Sequence, residues 1–224
     1  GYREAADPVI QLFKGVYYLY ASKSGGSWYS DNLRNWTYRP SATLPVKDYA
    51  PAVMAREDTV GGIAAGGKHQ IYYNLDPKQD NWQVYQNKFP LSVTDPDLFL
   101  DDDGTVSFYS GCSDARQIMG VELDRNRRLD TTGHPQTLIP HDIKDHGWER
   151  PGENHTEEKY GWNEGAWMTK RDGKYYLQYA APGTQFNVYG DGVYVSDHPL
   201  GPFTYMDNSP FSYKPGGFIT GAGH

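Results

Sequence analysis

Asp7-Pro8-Val9-Ile10, leading into Lys14-Gly15-Val16-Tyr17-Tyr18-Leu19-Tyr20, is the segment that sets the architecture, because its pattern returns twice. The second copy is Asp95-Pro96-Asp97-Leu98-Phe99 with Asp103-Gly104-Thr105-Val106-Ser107-Phe108-Tyr109. The third is Glu164-Gly165-Ala166-Trp167-Met168 with Asp172-Gly173-Lys174-Tyr175-Tyr176-Leu177-Gln178-Tyr179. Each copy sets one carboxylate ahead of a short strand, then a Gly turn, then an aromatic strand. Asp-Gly and Lys-Gly pairs suit tight hairpins because Gly tolerates positive φ.

Two weaker copies start at Ala50 and Gly221. The early steps fall in the range of roughly 40 to 50 residues expected for propeller blades of several strands each. Helical periodicity is nearly absent, and short strands bounded by Gly, Asp, Asn and Pro dominate. The expected fold is all-β: one five-bladed β-propeller domain over residues 1–224, with an insertion at about residues 131–162. The fifth motif has only begun at His224, so the closing blade is incomplete and further residues are expected to finish it. The abrupt start Gly1-Tyr2-Arg3-Glu4 is consistent with a trimmed N-terminus.

Hydrophobic content of 38% and charged content of 22% are globular values. A net charge of −7 and no basic patch argue against nucleic acid or anionic lipid as a partner. The run Arg125-Asn126-Arg127-Arg128 reads as a solvated turn. No stretch of 18 apolar residues offers a membrane-spanning helix. Cys112 is the one cysteine, so neither an intrachain disulfide nor a thiolate zinc cluster is available, and a buried inert thiol is expected. Asp101-Asp102-Asp103-Gly104 reads as an acidic hairpin turn, since an EF-hand needs a longer ligand spacing.

In a propeller the first strand of each blade lines the axis. Acids at the heads of those strands, Asp7, Asp95 and Glu164, then point into one funnel. Paired carboxyl groups suit glycosidic cleavage, where one protonates the leaving oxygen and the other activates water or attacks carbon. A third carboxylate nearby would keep the acid protonated through like-charge repulsion. Asp-Pro is also ordinary turn punctuation, so the weight rests on the threefold recurrence. Aromatic residues at 15%, including 19 Tyr, fit strands first and sugar platforms second. Trp28 and Tyr49 are the candidate platforms, with packing as the alternative for Trp28. The insertion carries His134, His141, His146 and His155 with Trp148, Glu149 and Glu153. Their spacing matches no familiar metal pattern, so a mobile loop at a cleft mouth is expected, with Trp148 walling a pocket for terminal sugars.

These motifs resemble glycoside hydrolase family 43, five-bladed propeller enzymes acting on arabinose- and xylose-containing glycans. The matching pieces are Ala6-Asp7-Pro8, Tyr49-Ala50-Pro51-Ala52-Val53, Thr94-Asp95-Pro96-Asp97-Leu98-Phe99-Leu100-Asp101-Asp102-Asp103-Gly104 and Asn163-Glu164-Gly165. Ser30-Asp31-Asn32-Leu33-Arg34-Asn35-Trp36, Gly120-Val121-Glu122-Leu123-Asp124 and Gly221-Ala222-Gly223-His224 support them. The resemblance implies Asp7 as general base, Asp95 as modulator and orienter, and Glu164 as general acid of an inverting hydrolase. It also implies His224 on the axis beside a calcium ion or its water, and no organic cofactor. The substrate expected is a polysaccharide or oligosaccharide with terminal arabinofuranosyl, xylosyl or galactofuranosyl groups, met by a secreted or periplasmic bacterial enzyme. Tyr49 stands where the family often has Trp, and Ala52 where an acid is common.

Two alternatives stay open. One is a catalytically silent glycan-binding propeller. The other is the retaining fructan-cleaving clan, in which the corresponding acid is followed by Cys, whereas Glu164 is followed by Gly165.

Overall fold

The computed structural model describes residues 6–65, 69–114, 117–213, 221 and 223–224. Gly1 to Glu4 and Ala222, which the sequence reading used, lie outside the described residues. The chain divides into two compact units: Gly1–Phe108 with Leu123–Thr132, and Tyr109–Glu122 with Gly133–His224.

The first unit opens with β1 (Val9–Phe13), β2 (Val16–Tyr20), β3 (Gly26–Ser30) and β4 (Thr37–Pro40), an antiparallel sheet in chain order. Lys14 and Gly15 close the first hairpin with positive φ, 50° and 78°. A second sheet repeats the order: β5 (Tyr49–Arg56), β6 (Thr59–Ala65), β7 (Ile71–Asn74) and β8 (Gln83–Gln86). β4 is exposed throughout and carries Pro40, as an edge strand should.

β9 (Asp97–Leu100), β10 (Val106–Ser110), β12 (Ile118–Asp124) and β13 (Asp130–Thr131) belong to a third sheet, in which β14 (Gln136–Ile139) also pairs with β12. Asp101 to Thr105 form the predicted hairpin turn. The Thr105 N–H donates to Asp103 Oδ1 at 2.8 Å and the Gly104 N–H to Asp101 O at 2.9 Å. Within the first unit β1 lies beside β5 and β5 beside β9, so the three leading strands are neighbours in chain order. Tyr20 packs edge-on against Trp82 with centroids 5.9 Å apart, and Phe89 against Phe108 at 4.9 Å. Each such buried ring contributes about 2–3 kcal/mol by leaving water.

The second unit holds the fourth sheet: β11 (Cys112–Ser113), β15 (Asn163–Arg171), β16 (Lys174–Ala181), β17 (Gly190–Ser196) and β18 (Thr204–Tyr205), in that spatial order. Leu177, Tyr179, Ala180 and Val188 are fully buried there. β14 falls inside the stretch read as an insertion, yet its residues complete a sheet by pairing Ile118 with Ile139 and Gly120 with Gln136. The added segment therefore starts after Ile139 and not near residue 131.

That segment is also pinned, where a mobile loop was expected. Glu149 at its centre is 0% exposed. Its Oε1 accepts the Tyr179 hydroxyl at 2.6 Å, and its Oε2 accepts the Asp142 N–H at 2.5 Å. Trp148 packs on Tyr179 at 5.4 Å and donates its indole N–H to Tyr205 Oη at 3.0 Å. Its ring is committed to the sheet, so it does not serve as the expected pocket wall.

Candidate active site

In the first unit, Asp7 and Asp95 each precede a leading strand, and Ala50 holds the equivalent place in the second sheet. All three precede proline, and all three have left-handed backbone: φ is 52° at Asp7, 43° at Ala50 and 44° at Asp95. Proline normally drives the residue before it into extended conformation, so these turns are strained by about 1–3 kcal/mol each. Such strain survives only where surrounding contacts impose it. One restraint is visible. Buried Ser22 donates its hydroxyl to Asp7 Oδ2 and accepts the Ala50 N–H at 2.7 Å, tying two strand heads together. Sequence reasoning missed Ser22, since a serine just past a strand carries no distinguishing signal.

Of the candidate platforms, Trp28 stacks obliquely on Tyr38 across β3 and β4, with centroids 5.1 Å apart. That contact fits the packing alternative for Trp28. Tyr49 is 52% exposed directly ahead of Ala50, with the Lys23 ammonium 4.3 Å over one face of its ring. One face of Tyr49 is thereby engaged at the head of β5.

In the second unit Glu164 is 8% exposed at the head of β15. Its Oε2 accepts two hydrogen bonds, from Trp162 Nε1 at 2.9 Å and from the Cys112 thiol at 3.1 Å. The thiol arrives because β11 pairs antiparallel with β15 and sets Cys112 directly opposite Glu164. Cys112 is half-buried, where a buried thiol was expected, and is bonded to the candidate acid. Gly165, not Glu164, carries the left-handed turn here, with φ 63°, and the register of β15 against β16 shifts between Glu164 and Trp167. Matched by backbone conformation, Glu164 therefore stands one residue earlier in its motif than Asp7 and Asp95 do in theirs.

His224 lies against the same turn. A Cβ on Gly165 would come within 2.5 Å of the His224 ring, so the glycine is required for space as well as for φ. The His224 N–H donates to Asp191 Oδ1 at 2.9 Å. Burial raises the Asp191 pKa above the usual carboxylate value, against the opposing pull of that bond. Among the described residues His224 belongs to no group of three or more His, Cys, Asp or Glu side chains with converging ligand atoms. Calcium takes six to eight oxygens. One imidazole and one carboxylate already accepting an N–H fit only an ion that keeps most of its water.

The histidines of the added segment are engaged singly. His141 Nε2 lies 2.9 Å from Asp114 O, and His155 lies 3.2 Å from Arg150 O through Nδ1 and 3.1 Å from Tyr213 Oη through Nε2. His146 stacks on Tyr205 with centroids 3.7 Å apart.

Comparison with known proteins joins these parts. The chain is 43% identical over 240 residues to a beta-D-galactofuranosidase of Aspergillus niger, covering 89% of this chain and 63% of that protein. It is 22% identical over 259 residues to a xylosidase/arabinosidase of Bacteroides ovatus, covering 90% and 76%. Among solved structures, a thermostable family-43 glycoside hydrolase superposes with a TM-score of 0.75 at 24% identity, over 94% of this chain and 74% of that one. The likeness shows the fold, and the all-β propeller read from the repeats stands. The family model for glycosyl hydrolases family 43 matches residues 3–224, and the chain belongs to that family.

Proposed function

We propose that this chain carries the catalytic acids of an inverting glycoside hydrolase that removes terminal galactofuranosyl, arabinofuranosyl or xylosyl groups from a polysaccharide or oligosaccharide. The observation that carries the reading is the placement of Asp7, Asp95 and Glu164 at strand heads beside left-handed turns, which fall on Asp7 and Asp95 themselves and on Gly165 next to Glu164.

In this reading Asp7 takes a proton from water, whose oxygen attacks the anomeric carbon. The carbon–oxygen bond to the leaving group breaks with its electron pair on oxygen, and Glu164 protonates that oxygen. Asp95 orients the sugar and the acid. Inversion requires the base and acid to stand roughly 6.5–9.5 Å apart, with room for one water. Galactofuranosides come first among the substrates because the 43%-identical relative is named for them. A polymeric substrate places the enzyme outside the cytoplasm, in the secreted or periplasmic compartment, which fractionation of activity between culture supernatant, periplasm and cell lysate tests.

The experiment is hydrolysis of nitrophenyl galactofuranosides, arabinofuranosides and xylosides by the full-length protein, with NMR of the anomer formed first. The expected outcome is an initially inverted anomer, with Glu164→Gln lowering turnover at least 100-fold, within the usual contribution of a general acid. A retained anomer would reassign the chain to double displacement. Glycan binding without any turnover would make it a silent binding propeller.

A further inference from the structure

Glu164 is held asymmetrically. Among the described residues two donors reach it, the indole N–H of Trp162 at 2.9 Å and the thiol of Cys112 at 3.1 Å, and both end on Oε2. They come from different places: Trp162 is two residues away on the approach to β15, and Cys112 is presented across the β11–β15 ladder. An indole nitrogen can only donate, and a thiol opposite a carboxylate donates too. An oxygen accepting two such bonds has no geometry left for a proton of its own. The preceding residue, Asn163, is fully buried, and among the described residues neither of its side-chain polar atoms has a hydrogen-bond partner, so the head of β15 is a place where polar groups are kept dry at a cost in stability.

We propose that Cys112 and Trp162 are positioning residues that fix which oxygen of Glu164 delivers the proton. With Oε2 saturated, the proton resides on Oε1, and the carboxyl plane is locked so that Oε1–H faces the leaving group. On reaction the Oε1–H bond breaks, the proton joins the glycosidic oxygen, and the electron pair left behind spreads onto an Oε2 already solvated by two fixed donors. Those donors need no reorganisation as the charge appears, which is the condition for effective stabilisation. This rests on the reading of Glu164 as general acid, and the test separates the two claims.

The test compares substrates that differ only in their need for a proton. Dinitrophenyl glycosides depart unaided, and methoxyphenyl glycosides or natural disaccharides do not. In the full-length enzyme, Cys112→Ala and Trp162→Phe are expected to lower kcat on the poor leaving group roughly tenfold each, the order of one hydrogen bond to an ionised group. On the dinitrophenyl substrate the change stays within about twofold, and KM holds for both. Cys112→Ser, which keeps an O–H donor, recovers most of the loss. A purely structural role would depress both substrates alike, and that result overturns the proposal. Glu164→Gln run in parallel fixes the interpretation. If it steepens the dependence on leaving group while Cys112→Ala and Trp162→Phe do not, only the positioning claim fails. If Glu164→Gln leaves the dependence flat, the acid itself is misassigned. Should Trp162→Phe not fold, the Ala and Ser variants of Cys112, differing by one donor atom, carry the test alone.

Discussion

Glu149 is the least exposed acid of the described residues, and its carboxyl sits against Tyr179, His146 and the Asp142 N–H with Tyr194 and Tyr205 close by. Burial raises its pKa above the ordinary 4.5, against the opposing hydrogen bonds from Tyr179 and Asp142 and the nearby His146. Burial likewise raises the Tyr179 hydroxyl, with the Glu149 charge adding to the effect. The sign follows from linkage. A carboxyl that binds its proton more tightly when folded contributes stability below its unfolded value, and that contribution is lost as pH climbs through the folded value. Glu149→Gln keeps the acceptor for Tyr179 and removes the titration. Thermal unfolding across pH 4 to 8 should therefore show the wild type losing more Tm than the variant as pH rises, and equal slopes would refute the assignment. None of this was legible beforehand. A Glu in a polar stretch between His146 and Arg150 has no sequence mark of burial, because the partner that pins it, Tyr179, comes from a strand 30 residues on. Cys112 was hidden for the same reason, its bond to Glu164 spanning 52 positions.

The strands were far more legible than their contacts. Val9–Phe13, Val16–Tyr20 and Lys174–Ala181 fall where alternating aromatic and β-branched residues stood between Gly turns. The third strand of the first sheet and the β15–β16 hairpin were equally readable. What the pattern could not resolve was register at the fourth repeat. Asp7 and Glu164 look equivalent when each is counted back from its strand, yet the left-handed turn falls on Asp7 itself in one case and on Gly165 in the other. A β-bulge inserts one residue without altering composition, so the sequence keeps no trace of it. The bulge makes a direct prediction. Gly165→Ala would drive its Cβ to 2.5 Å from the His224 ring and force an L-residue to φ 63°. Gly173→Ala, at φ 76° with nothing within 4 Å, costs only backbone strain. The second change should lower stability by about 1 kcal/mol with activity kept. The first should cost more and reduce turnover at least tenfold, read by Tm and kcat side by side.

Family membership was visible from the ordered set of acidic and proline motifs alone, and the family match over residues 3–224 agrees with it. The chain spans 63% of the galactofuranosidase it matches, so the activity of the whole protein is a matter for the experiments above. The calcium ion implied by His224 is a global proposal, testable without substrate. A ligand present at a hundred times its Kd stabilises the folded state by about 2.7 kcal/mol, several degrees in Tm for a chain of this size. Chelation should lower Tm by that order and added calcium restore it. An unchanged Tm would leave His224 with the contacts already seen, the Gly165 turn and Asp191.

The indole bonded to Glu164 has a spectroscopic corollary. Indole emission responds to whether a hydrogen-bonded neighbour is a neutral carboxyl or its anion, so one of the six tryptophans is wired to the candidate acid. Subtracting the Trp162→Phe spectrum from the parent isolates that single fluorophore. An acid titration of the difference would then follow ionisation at the site optically, in the resting protein, with neither label nor turnover.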